Sequence, residues 1–303
     1  MLPLIPYLEL PELPVLSERF FGSFPETAIT MKPFGMLVAL GAYTGTVAAL
    51  RQARHLGASP SAVLSFTGWV AVSAFVFAHW LDALFYYPRD VLDDPLLLFR
   101  FWEGLSSFGG FVGAFVGAFA WRFHYKVRLL PYADIVASSF PVSMAFGRLG
   151  CAFAHDHPGL RSDFFLAVQY PGGGRHDLGL YEFLLMTPLA VAFLVLRRTP
   201  RPWGFFGGVL CTVYAPIRFG LDFLRERSEV IEPGLAALAD ARYLGLTPAQ
   251  WACLPLFAIG IALLVRARRE STELPPVPPA FRRAEPLSDV NGESSASDAR
   301  DER

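Results

Sequence analysis

Two arginines lie deep inside long apolar stretches of this chain. Arg148 lies within ADIVASSFPVSMAFGRLGCAFA, and Arg218 lies within FFGGVLCTVYAPIRFGLDFL. Each stretch is long enough to cross a bilayer as a helix, which needs about 20 residues. Because a guanidinium inside a bilayer costs ~2.5–3.5 kcal/mol on insertion scales, two of them indicate an anionic partner between the helices. A lipid phosphate suits the planar set of donors that a guanidinium presents.

The composition is that of an integral membrane protein. Of the 303 residues, 53% are hydrophobic, which favours a membrane protein over a soluble domain with a large core. The formal net charge of −1 excludes a strongly basic protein, so we expect no nucleic-acid partner. Cys151, Cys211 and Cys253 lie in apolar segments without the paired spacing of a disulfide or a zinc site. We therefore expect buried thiols and no metal.

The pattern of apolar segments predicts an all-α integral membrane protein with seven transmembrane helices. Pro141 and Pro216 are expected to interrupt the fourth and the sixth of them. The predicted spans cover roughly residues 33–50, 61–86, 108–125, 133–153, 180–196, 204–224 and 250–267.

The basic residues predict the orientation. Compact arginine and lysine clusters follow the first, third, fifth and seventh spans, as at Arg51 and Arg54. Because short basic loops stay on the cytoplasmic side, we expect the N-terminus outside and the C-terminus in the cytoplasm. The loops 154–179 and 225–249 then face outward.

The chain is predicted to have three regions. Residues 1–30 form an arm at the outer membrane interface, with Tyr7, Phe20 and Phe21 as aromatic anchors. Residues 31–269 form the seven-helix membrane domain. Residues 270–303 are rich in proline, serine and charge, which is typical of a disordered cytoplasmic tail.

The polar residues inside the spans are expected to converge at one depth. With a rise of ~1.5 Å per residue, Arg148 and Arg218 both lie in the outer half of the membrane, and His79 reaches the same layer. Tyr214, Arg218 and Asp222 follow one another at intervals of four and share a helix face. Two alternatives stay open: Arg218 and Asp222 could form a purely structural pair, and His79 could be a packing histidine.

The third span begins with closely spaced glycines. The four-residue spacing of Gly109, Gly113 and Gly117 is typical of close helix packing. Gly109 and Gly110, at the outer helix start, could also let a lipid headgroup approach free backbone N–H groups.

The outward loop 154–179 carries histidines. His155 and His157 could accept a proton, contact a lipid headgroup or be ordinary polar loop residues. A metal needs a third ligand that the sequence does not supply. The same alternatives apply to His176, beside Arg175.

Four segments together resemble one known family. They are WEGLSSFGGFVGA at 102–114, FGRLGCAFAHDHPG at 146–159, LYE at 180–182 and YAPIRFGLDFLRE at 214–226. The chain resembles the prolipoprotein diacylglyceryl transferases over about residues 30–267. The resemblance implies a seven-span enzyme of the bacterial inner membrane. It also implies that the diacylglyceryl group of phosphatidylglycerol is transferred to the lipobox cysteine in the signal peptide of a prolipoprotein. A thioether forms and glycerol phosphate leaves, without a cofactor.

The resemblance also implies roles for individual residues. Arg148 matches the arginine of the family's Gly-Arg-x-Gly signature, which is thought to hold phosphatidylglycerol. Arg218 and Tyr214 match the essential arginine and tyrosine of a late helix. Gly159 matches the glycine that closes the signature, and Asp222 stands where the family usually has glutamate.

This sequence departs from the family pattern at several positions. The family's His-Gly-Gly is Phe108-Gly109-Gly110 here, so the histidine often proposed as catalytic is absent. Cys151 replaces the asparagine of the signature, and Phe34 and His79 replace a tyrosine and a frequent arginine. We still count Cys151 and His79 among the residues expected to line the substrate site.

These departures leave three hypotheses for the function. In an active transferase, His155 or His157 could supply the base, or the arginines could ionise the thiol unaided. A non-catalytic or altered paralogue would bind phospholipid or lipoproteins. A small-solute transporter is a third reading, although the chain shows no internal repeat.

Overall fold

The fold is mostly helical, as predicted. The computed structural model describes residues 5–11, 13–14, 30–101, 104–226, 242–273 and 277–281. The helices are α1 Pro33–Leu56, α2 Pro60–Tyr86, α3 Pro88–Asp93, α4 Ser107–Tyr125, α5 Leu129–Ala137, α6 Phe140–Ala154, α7 Leu178–Leu196, α8 Phe205–Leu221 and α9 Pro248–Ala267. Short 3-10 turns cover Pro95–Phe99, Asp222–Leu224 and Pro279–Phe281.

Proline residues in the first turn and a threonine cap explain where several helices begin. Pro33, Pro60 and Pro248 lie at the first positions of α1, α2 and α9, where a missing N–H costs nothing. Before α9, Thr247 and Gln250 bond reciprocally to each other's backbone N–H groups and satisfy two of the free donors of the first turn.

Four helices are long and apolar enough to cross a membrane: α1, α2 over Pro60–Phe85, α7 and α9. A fifth is present if α5 and α6, which meet at a bend of 47°, count as one broken span. Helices α4 and α8 occupy the other two predicted segments without meeting the same criterion.

The two prolines predicted to interrupt spans behave differently. Pro141 lies in the first turn of α6, directly after the bend, so the interruption of the fourth segment is confirmed. Pro216 lies inside α8, as predicted for the sixth segment, and the helix continues through this residue. A proline inside a helix removes one hydrogen bond, and this loss alone does not end the helix.

The helices pack in neighbouring pairs. Helix α2 runs along α4, α1 along α6, α6 along α7 and α8 along α9. The α2–α4 contact depends on glycine: a Cβ added at Gly109, Gly113 or Gly117 would meet carbonyl oxygens of α2 at 2.3 to 2.5 Å. The packing predicted for these glycines is confirmed. Gly110 differs, because its nearest neighbour would be the Ala78 Cβ at 3.9 Å.

A four-stranded sheet occupies the region predicted as the loop 154–179. Its strands, in order across the sheet, are β1 Ile5–Pro6, β5 Val168–Tyr170, β6 Gly173–Asp177 and β4 Pro158–Arg161. Strand β1 is parallel to β5, whereas β6 is antiparallel to both β5 and β4. A separate antiparallel pair joins β2 Leu13–Pro14 to β3 Thr30–Met31. The mostly helical structure agrees with the predicted all-α membrane protein, and these short strands, which were not predicted, lie outside the long apolar helices.

The described part of the N-terminal arm packs on this sheet. Tyr7 stacks on His155 with ring centroids 3.9 Å apart and contacts Tyr170 edge-on. The other two predicted anchors, Phe20 and Phe21, lie outside the described residues.

Part of the predicted tail is also described. Within residues 270–303, the carbonyl of Glu273 accepts a hydrogen bond from the Trp203 indole at 2.7 Å. Phe281 packs against Tyr125, with ring centroids 4.8 Å apart. Residues 282–303 lie outside the described ranges.

Candidate functional site

Arg148 and Arg218 meet at one buried carboxylate. Glu182 Oε2 lies 3.0 Å from Arg148 Nε, and Glu182 Oε1 lies 2.9 Å from Arg218 Nη1. The Glu182 side chain has no exposed surface, whereas 18% of the Arg148 side chain and 11% of the Arg218 side chain are exposed. The sequence predicted that the two arginines lie at one depth, and the structure brings them together.

Three helix ends place this group. Arg148 lies in the second half of α6, Arg218 in the last turn of α8 and Glu182 just after the start of α7. The start of α7 is fixed by Asp177, whose Oδ1 accepts a hydrogen bond from Leu180 N at 2.8 Å. A side chain at Gly179 would meet the backbone of α6 at 2.9 Å, so α7 can approach α6 only with glycine here.

Tyr214, Arg218 and Asp222 share one helix face, as predicted. The Tyr214 hydroxyl donates to Glu182 Oε2 at 3.1 Å, and Arg218 Nη2 lies 3.0 Å from Asp222 Oδ1. The Asp222 side chain is fully buried and also accepts a hydrogen bond from the Thr247 hydroxyl. The predicted Arg218–Asp222 pair therefore exists, as one contact of a larger network.

The network corrects one expectation. The two arginines already have an anionic partner between the helices, the Glu182 carboxylate, so no lipid phosphate is needed to explain their burial. The network contains three guanidinium groups, on Arg148, Arg218 and Arg225, and the two carboxylates of Glu182 and Asp222, so its formal net charge is +1. A site of this sign can still hold a phosphate, and Arg148 is the more exposed of the two guanidinium groups that contact Glu182.

Cys151 lies beside Arg148, and Gly159 lies where the sheet contacts the residues after α8. The Cys151 thiol is buried, and its sulfur lies 4.0 Å from Arg148 Nη1. Gly159 pairs with Arg225 in an isolated β-bridge, and a Cβ there would meet the Leu224 carbonyl oxygen at 2.5 Å. Arg175 Nη1 also donates to the Gly159 carbonyl at 3.0 Å. Gly159 thus joins the sheet to the end of α8.

His155 and His157 lie in different environments, although only one residue separates them. His155 Nδ1 is 3.2 Å from Asp177 Oδ2, its Nε2 is 3.2 Å from the Leu8 carbonyl oxygen, and 7% of its side chain is exposed. His157 Nδ1 is 2.5 Å from Asp156 Oδ1, and 24% of its side chain is exposed. The structure therefore gives His155 a packing position and leaves His157 accessible.

Among the described residues, one group has the spacing of metal ligands. Ligand atoms of Cys151, Asp156 and His157 lie within 4.8 Å of one another. The Arg148 guanidinium beside Cys151 opposes a second cation at this position. Asp156 and His157 are in direct hydrogen-bond contact, so we interpret the group as a hydrogen-bonded pair beside a thiol.

His79 does not join the arginines. Its Nδ1 lies 3.0 Å from the Gly104 carbonyl oxygen and its Nε2 lies 2.9 Å from the Leu97 carbonyl oxygen. It is 2% exposed and lines a cavity of about 340 Å³ together with Asp82 and Arg100. These contacts favour the packing alternative for His79, which ties the segment after α3 to α2.

The backbone N–H groups of Gly109 and Gly110, at the start of α4, were expected to be free for a lipid headgroup. Gly109 N–H donates to the Ser106 hydroxyl at 3.5 Å, and Gly110 N–H donates to the Ser106 carbonyl at 3.0 Å. Both amides are thus already engaged. The side chain of Phe108 is not among the described residues, and Phe34, on α1, contacts α6 at Gly150.

Comparisons with known proteins identify the family of this chain. A sequence model of the prolipoprotein diacylglyceryl transferase family matches residues 23–266. The chain belongs to this family.

Individual relatives carry the same family name. A phosphatidylglycerol–prolipoprotein diacylglyceryl transferase of Chromohalobacter salexigens is 31% identical over 258 residues, which cover 81% of this chain and 93% of the relative. A protein of the same name from Pseudoalteromonas atlantica is 35% identical over 195 residues, covering 62% of this chain and 68% of the relative. One from Actinobacillus pleuropneumoniae serotype 3 is 33% identical over 193 residues, covering 61% and 69%.

Two residues of the candidate site were not predicted from the sequence. No role was predicted for Glu182, although it is an acid in the first turns of an otherwise apolar helix. That position was the available signal, because an intramembrane acid indicates a partner. Asp156 lies between two histidines in a loop, and nothing in the sequence shows which of them it contacts.

Proposed function

We propose that this protein transfers the diacylglyceryl group of phosphatidylglycerol to the lipobox cysteine of prolipoproteins, forming a thioether and releasing glycerol phosphate. The observation that carries the proposal is the Arg148–Glu182–Arg218 network in a chain of this family. With Asp222 and Arg225 included, the network has a formal charge of +1. The relatives named above are called transferases of these two substrates.

The network suits the charge changes of this reaction. The thiol sulfur attacks the glycerol carbon that bears the phosphate ester, and the carbon–oxygen bond breaks. Negative charge then grows on the departing glycerol phosphate. Guanidinium donors that are already oriented, in a site poor in water, stabilise such charge more strongly than water does. Glu182 and Tyr214 supply this orientation by holding Arg148 and Arg218 from the protein side.

The same proposal includes the membrane arrangement. We infer seven spans, with the N-terminus outside and the C-terminus in the cytoplasm of a bacterial inner membrane. The four or five helices that are long enough to span, together with the basic loops, support it. In this orientation the Arg148–Glu182–Arg218 network lies in the outer half of the bilayer, where a signal peptide and a phospholipid can both approach it.

Substitution of the arginines tests the proposal. We expect Arg148→Ala and Arg218→Ala each to lower transfer from phosphatidylglycerol to a lipobox peptide by at least ~10²-fold, the usual loss for one oriented donor. Lysine at either position should restore only part of the rate, because a point charge replaces a planar fork. Arg266→Ala is the matched control, since the side chain of this arginine is 63% exposed and pairs with Glu270, away from the network.

Rates are measured with purified full-length protein after each variant is shown to insert into the membrane. A rate like that of the unmodified protein in Arg148→Ala or Arg218→Ala would remove the network from the mechanism. So would an equal loss in Arg266→Ala.

A further inference from the structure

We propose that His157, held by Asp156, accepts the proton of the lipobox thiol during transfer. This inference rests on the proposed function and assigns its missing base. The position that the family fills with histidine is Phe108 here, and a phenylalanine ring cannot take a proton.

The contact with Asp156 favours the imidazole tautomer of His157 that can act as a general base. When Nδ1–H donates to a carboxylate, the other nitrogen carries the free electron pair. Here Nδ1 is 2.5 Å from Asp156 Oδ1, and among the described residues no group bonds to Nε2. The His157 side chain is 24% exposed, so an incoming thiol can reach the imidazole.

The pair lies next to the arginine network. Ligand atoms of His157 and Asp156 are within 4.8 Å of the Cys151 sulfur, which is itself 4.0 Å from Arg148 Nη1. The His157 carbonyl accepts a hydrogen bond from Leu178 N at 3.1 Å, which fixes the loop to the start of α7. The proposed base and the Arg148 guanidinium thus both lie close to one buried thiol.

The remaining histidines of the chain are engaged elsewhere. His155 and His79 use both ring nitrogens, as described above. His176 Nδ1 is 2.8 Å from the Tyr181 hydroxyl, and burial lowers the pKa of this imidazole, which weakens it as a base. His55 contacts the Arg198 carbonyl oxygen and His124 stacks on Trp69, both far along the helices from the network.

The proposed step balances in protons and electrons. The thiol proton moves to His157 Nε2, and the sulfur electron pair forms the bond to the glycerol carbon. The electrons of the broken carbon–oxygen bond leave with glycerol phosphate, whose charge Arg148 and Arg218 stabilise. The imidazolium then returns its proton to water through its exposed edge.

Two peptide substrates distinguish a role of His157 as the base from a purely structural role. One lipobox peptide carries cysteine, and the other carries selenocysteine, whose selenol is already ionised at neutral pH and needs no base. We expect His157→Ala to lower the rate with the cysteine peptide by ~10²-fold or more, within the usual range for general base catalysis. With the selenocysteine peptide the rate should stay within a few-fold of the unmodified protein.

Three controls complete the experiment. Asp156→Asn should cause a smaller loss that is again confined to the cysteine peptide. His155→Ala should affect both peptides equally, because its role is packing. A chelator should leave the unmodified protein unchanged, since the Cys151, Asp156 and His157 group is not expected to hold a metal.

The outcomes distinguish this inference from the proposed function. An unchanged rate of His157→Ala with cysteine, or an equal loss with both peptides, would overturn the assignment of the base. Inhibition by the chelator would overturn it as well. Failure of the unmodified protein to modify either peptide would instead overturn the transferase proposal.

Discussion

Glu182 is the side chain on which both intramembrane arginines depend. Its carboxylate is fully buried and accepts from Arg148, Arg218 and Tyr214 at 2.9 to 3.1 Å. A carboxylate or a guanidinium alone would be costly in this environment, and each makes the burial of the other possible. Breaking such a buried pair typically costs about 3–5 kcal/mol, because one charge is left without its partner.

We therefore expect Glu182→Gln to destabilise the protein strongly while nearly keeping the shape of the side chain. The loss should be of the order of 3–5 kcal/mol in the free energy of unfolding. It would be measured by denaturation of the detergent-solubilised protein. The matched control is Glu270→Gln, because Glu270 bonds to Arg128 and Arg266, whose side chains are more than half exposed. Surface pairs of this kind contribute little.

Similar, small changes in the two variants would contradict this dependence. The combination of Glu182→Gln with Arg148→Met should recover part of the stability, because it removes the guanidinium that Glu182→Gln leaves uncompensated, whereas Arg218 keeps its contact with Asp222. Further loss in the double variant would show that Arg148 does not need Glu182.

The sequence predicted the residues of the site better than their partners. The depth of Arg148 and Arg218 and the shared face of Tyr214 and Asp222 follow from helical spacing within single segments, and the structure brings these four together. Glu182 comes from another helix, and no spacing rule connects two helices. For the same reason, the sequence could not tell which of two neighbouring histidines is packed and which is accessible.

At the scale of elements, the contact between α2 and α4 is set by glycine. A Cβ at Gly113 would meet the Ser73 carbonyl oxygen at 2.3 Å and the Phe77 Cβ at 2.7 Å. Backbone atoms cannot move aside as a flexible side chain can. The two helices can therefore lie this close only while the position stays glycine.

We expect Gly113→Ala to destabilise the protein by about 1–3 kcal/mol, as overpacking of a tight contact usually does. Gly68→Ala is the matched control, because it lies on α2 with no atom within 4 Å of the added Cβ. Alanine lowers the conformational entropy of the unfolded chain relative to glycine. We therefore expect Gly68→Ala to leave the stability of the protein unchanged or to raise it slightly. Thermal unfolding of both variants in detergent checks the difference, and equal melting temperatures would rule out this packing.

Long elements were predictable and short ones were not. Apolar segments of about 20 residues identify helices by length alone. Strands β4, β5 and β6 have three to five residues each. Segments this short are hard to recognise in the sequence by the alternation of apolar and polar residues. Strand β1 has two residues and pairs with a partner far along the chain, which only the folded structure can show.

At the scale of the whole molecule, the orientation in the membrane has one decisive test. Arg201 lies between α7 and α8, and Gly173 begins β6 at the other end of α7. Reporter fusions at these two positions should indicate the cytoplasm for Arg201 and the exterior for Gly173, because the basic residues cluster near Arg201. Both reporters on one side, or the reverse assignment, would overturn the proposed topology.

The parallel pairing of β1 with β5 also bears on the order in which the chain assembles. Ile5 and Val168 are partners although about 160 residues separate them, so their contact closes a very large loop. Synthesis runs from the N-terminus, and β1 therefore leaves the ribosome long before its partner exists. Closure of this strand pair is a late event in biogenesis, and it completes the support of His155 only after the helices between them have been made.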